Sequence, residues 1–260
     1  MTVIIGETSV AIDDVDYCLD RTIPTRFCLV HILSRQGEKR KLVLKCLNPV
    51  CLQDAQKASI WKHTFEREYR MFCPVPDYSG AAGAPRLLRP TVYQMISDIT
   101  CGENTTFGLL SECISGALLS KWIREYEGLP KRLFRDVCAT LRHYNALHYY
   151  HMDLSSDNMI VSDENRSVWL IDFTGAFCFE NGKLLPVSSY TRCFCGKYGD
   201  RIEDIRTEAD CVRLQADMLL CLFEEAYDGE NDDSRKIRFL LSASSDPLRV
   251  LTDEMDALLI

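Results

Sequence analysis

The sequence has no CxxC pair, no internal repeat and no low-complexity stretch. Without CxxC, the usual zinc-ribbon and dithiol-redox spacings are excluded. No apolar run approaches the ~20 residues a membrane-spanning helix requires, so no membrane association is expected. Positive charge is also scarce: 30 Lys and Arg stand against 38 Asp and Glu, a formal net charge of −8. Nucleic-acid binding needs clustered cations, so this balance argues against DNA or RNA as the main partner. Met1 to Asp14 offers only Val3, Ile4 and Ile5 as an apolar group before turning acidic. It lacks the basic flank and apolar core of a secretory signal, and a cytoplasmic protein is expected.

Cysteine, by contrast, is plentiful. Thirteen cysteines run from Cys18 to Cys221, an odd number that leaves at least one unpaired in any all-disulfide scheme. A chain of 260 residues can bury a core without cross-links, so reduced and mostly buried thiols are expected. Cys193 and Cys195 form the only close pair, a weak metal signal by itself. At 47% hydrophobic and 26% charged residues, the composition is that of a folded globular protein.

Residues 26–33 and 41–47 are rich in β-formers around a polar turn and predict a hairpin. From Leu52 to Phe72 the pattern is helical. Residues 74–90 collect proline and glycine and predict a loop, followed by strands around Val92–Ile96 and Phe107–Ser111. Beyond Gly116 helices dominate. One spans 130–150, opened by Pro130, with Phe134, Val137, Cys138, Leu141, Tyr144 and Leu147 near one face. Another covers 208–226 and is apolar nearly all round, which places it at the centre of its core. A short closing helix is expected over 245–260.

The segment carrying chemistry is His151-Met-Asp153-Leu-Ser-Ser-Asp-Asn158, followed by Met159-Ile160-Val161, a polar turn, and Val168-Trp169-Leu170-Ile171-Asp172-Phe173. A long amphipathic helix precedes it, and two short apolar strands frame the turn. His-x-Asp-x-x-x-x-Asn and the strand-end Asp-Phe resemble the catalytic loop and metal-binding Asp of the protein-kinase-like superfamily. That superfamily includes protein kinases and small-molecule kinases. Upstream, Leu42-Val43-Leu44-Lys45 resembles the strand whose lysine reaches the α- and β-phosphates. Phe65 to Phe72 resembles the helix whose glutamate pairs with that lysine, with Glu68 chosen and Glu66 in reserve. Leu109 to Gly116 is similar to the hinge.

The resemblance implies an α+β, bilobal protein-kinase-like fold. A small antiparallel β-sheet N-lobe with one helix would occupy residues 1–114, and a mainly helical, shortened C-lobe residues 115–260. It implies ATP and Mg²⁺ as cofactors. Asp153 would orient a hydroxyl and accept its proton, and Asn158 and Asp172 would offer hard oxygens to Mg²⁺. Lys45, Glu68, Val30 and the main chains of Glu112 and Ile114 would hold the nucleotide. His151 is read as a brace for the loop. Asp210 reads equally as an anchor for that loop or as a plain helix-start carboxylate. Cys28, Cys46, Cys113 and Cys178 fall near the expected nucleotide contacts, where packing is their expected role and thiol reactivity the alternative.

Several positions depart from the family pattern. The stretch Ile23–Val30, which aligns with the phosphate-covering loop, contains no glycine, so phosphate grip would pass to Lys45, metal, and Arg26 or Thr25. Ser155 stands where Ser/Thr protein kinases usually carry lysine, and Thr174 replaces the glycine after Asp-Phe. No Ala-Pro-Glu is present. The functional expectation is a phosphotransferase acting on a hydroxyl, on a protein ahead of a metabolite. The alternatives are a pseudokinase-like interaction module, a small-molecule kinase, or a nucleotidyl-type transferase on the same fold.

Overall fold

The computed structural model describes residues 1–72, 87–126, 128–180, 183–186, 198–227 and 229–258. The chain divides into two compact units, Met1–Pro76 with Pro90–Ile114, and Asp77–Arg89 with Ser115–Ile260. Among the described residues no helix is long and apolar enough to cross a membrane.

The first unit corrects the expected bilobal arrangement with its small antiparallel sheet. Seven strands close into a mixed barrel in the order β1-β2-β3-β4-β5-β7-β6. They are β1 (Val3–Ile5), β2 (Ser9–Ile12), β3 (Val15–Pro24), β4 (Cys28–Ser34), β5 (Leu42–Leu47), β6 (Val92–Cys101) and β7 (Asn104–Glu112). Closure comes from β1, which pairs antiparallel with β2 and parallel with β6, setting Val3 beside Ile99 and Ile5 beside Cys101. The physical cause lies in the first twelve residues. Val3, Ile5, Val10 and Ile12 alternate at period 2 and turn one apolar face inward. There they join Leu33, Leu44, Cys46, Ile96, Ile99 and Leu110 in one core. Side chains fill the interior, as expected of a small barrel.

One helix, α1 (Ala55–Phe72), belongs to this unit. Asp54 caps it, its Oδ1 accepting from the N–H groups of Gln56 and Lys57 at 3.1 Å each. Its buried residues are Trp61, Thr64, Phe65, Glu68 and Met71, a helical stripe with one carboxylate inside it. Phe65 meets Phe107 of β7 edge-on at 5.8 Å, which fixes the face α1 turns to the barrel.

The second unit contains two three-stranded antiparallel sheets among helices. One has the order β11 (Val168–Leu170), β10 (Met159–Ser162), β8 (Gly116–Leu118), and the other β13 (Lys183–Pro186), β12 (Ala176–Glu180), β9 (Tyr149–His151). The helices are α2 (Leu119–Tyr126), α3 (Leu133–Ala146), α4 (Gly199–Glu203), α5 (Glu208–Ala226), α6 (Asp232–Ala243) and α7 (Pro247–Leu258). Helix α5 buries Leu214, Gln215, Met218, Leu219, Leu220, Leu222 and Phe223, in line with its nearly unbroken apolar sequence. Helix α6 follows an Asn231–Ser234 capping box that the sequence reading passed over. Most of the loop expected over 74–90, and the Cys193–Cys195 pair, lie outside the described residues.

Candidate functional site

The second unit positions the His-Asp-Asn segment between β9 and β10. Met152 and Leu154 are buried and anchor the loop, while Asp153 between them and Ser155 after them are half-buried. His151 is fully buried and bridges two segments. Its Nδ1 accepts from the Asp153 N–H at 3.2 Å, and its Nε2 donates to the Ile171 carbonyl at 3.2 Å. Those partners require the neutral ring with hydrogen on Nε2. Burial agrees, pulling the His151 pKa down to about 4. The residue is a brace that ties the loop to the strand leading into Asp172.

Asn158 closes the loop. Its Nδ2 donates to Oδ2 of Asp153 at 2.8 Å and to the Asp153 carbonyl at 2.9 Å. With both amide hydrogens turned toward Asp153, the Asn158 side-chain oxygen faces the other way. The Asn158 carbonyl accepts from the Ile171 N–H at 2.9 Å, which brings Asn158 next to the start of the Asp172 turn. Burial raises the Asp153 pKa to about 6. The Asn158 hydrogen bond opposes that shift, while the charges of Asp172 and Asp157 add to it. A carboxylate poised there is a stronger base than an ordinary aspartate and is still mostly ionised at neutral pH.

Asp172 has φ 56° and ψ 82°, a left-handed conformation. It caps a short turn, Phe173–Gly175, its Oδ1 accepting from the Thr174 N–H at 3.2 Å and from the Thr174 hydroxyl. Gly175 packs against Asp153 so closely that an added Cβ would lie 2.7 Å from the Asp153 Cβ. The glycine is therefore needed for close approach.

In the first unit, Lys45 lies on β5 between Leu44 and Cys46, which point into the barrel, so its side chain leaves on the outer face toward α1. Its Nζ is 3.4 Å from Glu68 Oε2 and 5.8 Å from the Phe65 ring centroid. Glu66, the reserve candidate, pairs instead with exposed His63 at 3.1 Å. Val30 is the β4 residue opposite Lys45. Gly108 of β7 allows close strand approach here, because a Cβ would meet the Lys45 carbonyl oxygen at 2.2 Å.

At the end of β7 the Glu112 N–H donates to the Thr91 carbonyl at 2.8 Å, and the Thr91 N–H returns a bond to Glu112 Oε2 at 3.2 Å. The Glu112 N–H is thereby engaged within the first unit. Ile114 follows in the segment between β7 and β8. The glycine-free stretch is a tight β3–β4 turn. The Thr25 hydroxyl donates to the Cys28 carbonyl and accepts from the Cys28 N–H, both at 3.0 Å. Those bonds remove Thr25 as a phosphate grip. The Arg26 guanidinium lies 5.0 Å from the Phe27 ring centroid, and Phe27 leans on Trp61 at 5.2 Å.

Asp210 settles on its helix-start role. Its Oδ2 accepts from the Arg206 and Thr207 N–H groups and from the Thr207 hydroxyl, a reciprocal cap on α5. The contacts from α5 to β9 come from residues that sequence reasoning missed. Gln215 Nε2 donates to the His151 carbonyl at 3.2 Å, and Glu208 accepts from the Tyr150 hydroxyl. The Thr207-x-x-Asp210 spacing was the legible signal that Asp210 was already engaged. Gln215, an amide in an otherwise apolar helix face, was the legible signal for the anchor.

The cysteines near the expected nucleotide contacts are thiols. Cys28, Cys46 and Cys178 are buried, and Cys113 is partly so. Burial pushes Cys46 up to about 12 and raises Cys113 as well, so neither forms much thiolate at neutral pH.

No family model matches the chain. A crystal structure of WbdD superposes with a TM-score of 0.56 at 14% identity, covering 96% of this chain and 48% of that one. The chain thus spans about half the length of WbdD. At that identity the likeness is one of fold.

Proposed function

We propose that the chain is an ATP- and Mg²⁺-dependent phosphotransferase that passes the γ-phosphate to a hydroxyl, on a protein Ser or Thr ahead of a small molecule. One observation carries the reading. Asp153 is a carboxylate of raised pKa, held through Asn158 and within the field of Asp172. Such a group suits the proton transfer of an in-line displacement.

Asp153 accepts a hydrogen bond from the acceptor hydroxyl and aligns its oxygen. As that oxygen bonds to the γ-phosphorus and the bond to ADP breaks, the hydroxyl proton passes to Oδ1 or Oδ2 of Asp153. Lys45, oriented by Glu68, is assigned to the α- and β-phosphates. Val30 and the main chains of Glu112 and Ile114 are assigned to the base. Asn158 and Asp172 fit a hard cation. The Asn158 amide is turned by its bonds to Asp153, and both residues offer oxygen ligands. Among the described residues no group of three or more His, Cys, Asp or Glu could hold a metal. A cation would therefore complete its shell with phosphate oxygens and water, the usual manner of Mg²⁺. When bound, it neutralises charge on the transferring phosphoryl group.

The test is a thermal-stabilisation scan with Mg²⁺ and ATP, followed by mass spectrometry for phosphate on the protein and on candidate acceptors. Wild type should be stabilised by Mg-ATP and Asp172→Asn much less. Equal stabilisation of the two would remove the metal assignment. The tight Thr25 turn favours a second reading, an interaction module that binds nucleotide without transferring phosphate. Nucleotide binding with no transfer to any acceptor would select it.

A further inference from the structure

The turn that carries Asp172 holds a residue to which the family pattern assigns no task. Few L-residues adopt the φ of 56° found at Asp172. Aspartate tolerates it because its short carboxylate can bond locally. Here Oδ1 takes two donors from one residue, the N–H and the hydroxyl of Thr174. Any residue except proline would supply the N–H. Only Thr or Ser supplies the hydroxyl, and the glycine of the family pattern would not.

The donor also has a fixed place. Thr174 is 5% exposed, and Phe173 beside it is fully buried. The Phe173 ring meets His151 at 4.6 Å and Tyr144 at 4.7 Å. Gly175, on the other side, is pressed against Asp153. The hydroxyl is thus held from both ends of a turn packed into the core, and it binds the very oxygen that begins the turn. A cation site with so few protein ligands depends on the orientation of each one.

We propose that Thr174 is a positioning residue that, through its hydroxyl, sets the Asp172 carboxylate for a divalent cation. The inference rests on the phosphotransferase reading. Replacing the hydroxyl by a methyl group puts an apolar atom against the carboxylate and removes one of the two bonds that Thr174 gives to Oδ1. Removing a hydrogen-bond partner of a metal ligand typically weakens the metal about tenfold or more.

The experiment titrates Mg²⁺ at fixed ATP by thermal shift in wild type, Thr174→Val, Thr174→Ala and Thr174→Ser, with urea midpoints measured without nucleotide. Val and Ala should need about tenfold more Mg²⁺ for half the shift, while Ser stays within about twofold of wild type. The alanine variant adds no bulk and carries the test if valine disturbs the fold. Val and Ala at the wild-type Mg²⁺ requirement would overturn the role of Thr174 alone. Failure of Ser to restore the requirement would do the same. No Mg²⁺-dependent shift in wild type would overturn the phosphotransferase reading and this inference together.

Discussion

Lys45 Nζ and Glu68 Oε2 lie 3.4 Å apart on the outer face of the barrel, with 17% and 6% of their side chains exposed. Removing one member of a pair withdrawn from water leaves the other charge poorly solvated. Glu68→Ala should therefore cost about 3 kcal/mol in urea unfolding and weaken ATP binding. Glu66→Ala, which loses only an exposed contact with His63, should leave both nearly unchanged. The reverse order of effects would transfer the partnership to Glu66.

Asp153 sets a pH dependence. On the phosphotransferase reading Asp153 is the base and must be ionised to take a proton, and burial raises its pKa to about 6. The rate kcat/KM should fall as pH drops through about 6, and Asp153→Asn should abolish transfer while keeping Mg-ATP stabilisation. A pH–rate profile with its acid limb near that of an ordinary carboxylate, about 4, would contradict the assignment.

His151 sets a second pH dependence, this time in stability. Its pKa is about 4 in the folded protein and about 6.5 in an unfolded chain, so the folded state resists taking up the proton. The stabilisation is complete above about 6.5 and lost as pH falls toward 4, about 3 kcal/mol in all. Asp153, with its raised pKa, acts oppositely between about 4 and 6, so the informative quantity is the difference between wild type and a variant. His151→Gln should flatten the loss of urea midpoint across that window. Parallel curves would show that the ring is not a buried neutral brace.

Gly175→Ala probes geometry. The new Cβ would meet Asp153 at 2.7 Å, and relief requires moving Asp153. A displacement near 1 Å can cost about 100-fold in rate, so kcat should fall by that order with the KM for ATP little changed. A variant with wild-type kcat would show that the base does not depend on this contact.

Different parts of the molecule were legible for different reasons. The place of the loop from His151 to Asn158 was readable because its polar residues are contiguous and framed by two apolar strands. Helix α5 was readable from its composition. The barrel was not, because β1 and β2 are only three and four residues long. The parallel pairing of Val3 with Ile99 joins segments with no local signature of each other. At Asp210 the family resemblance suggested a distant role, whereas local capping had already engaged the carboxylate. Thr174 read as a lost glycine, and its hydroxyl acquired meaning only with Asp172 in place.

The closed barrel also limits how the first unit can meet other proteins. Each of its seven strands has a neighbour on both sides, since β1 joins β6. An open sheet can recruit an extended peptide as an extra strand through its unpaired main-chain groups. Here β1 covers β6 only over Ile99–Cys101 and β2 covers β3 only over Val15–Cys18, so an extended partner of the first unit is confined to the single-paired stretches 92–98 of β6 and 20–24 of β3.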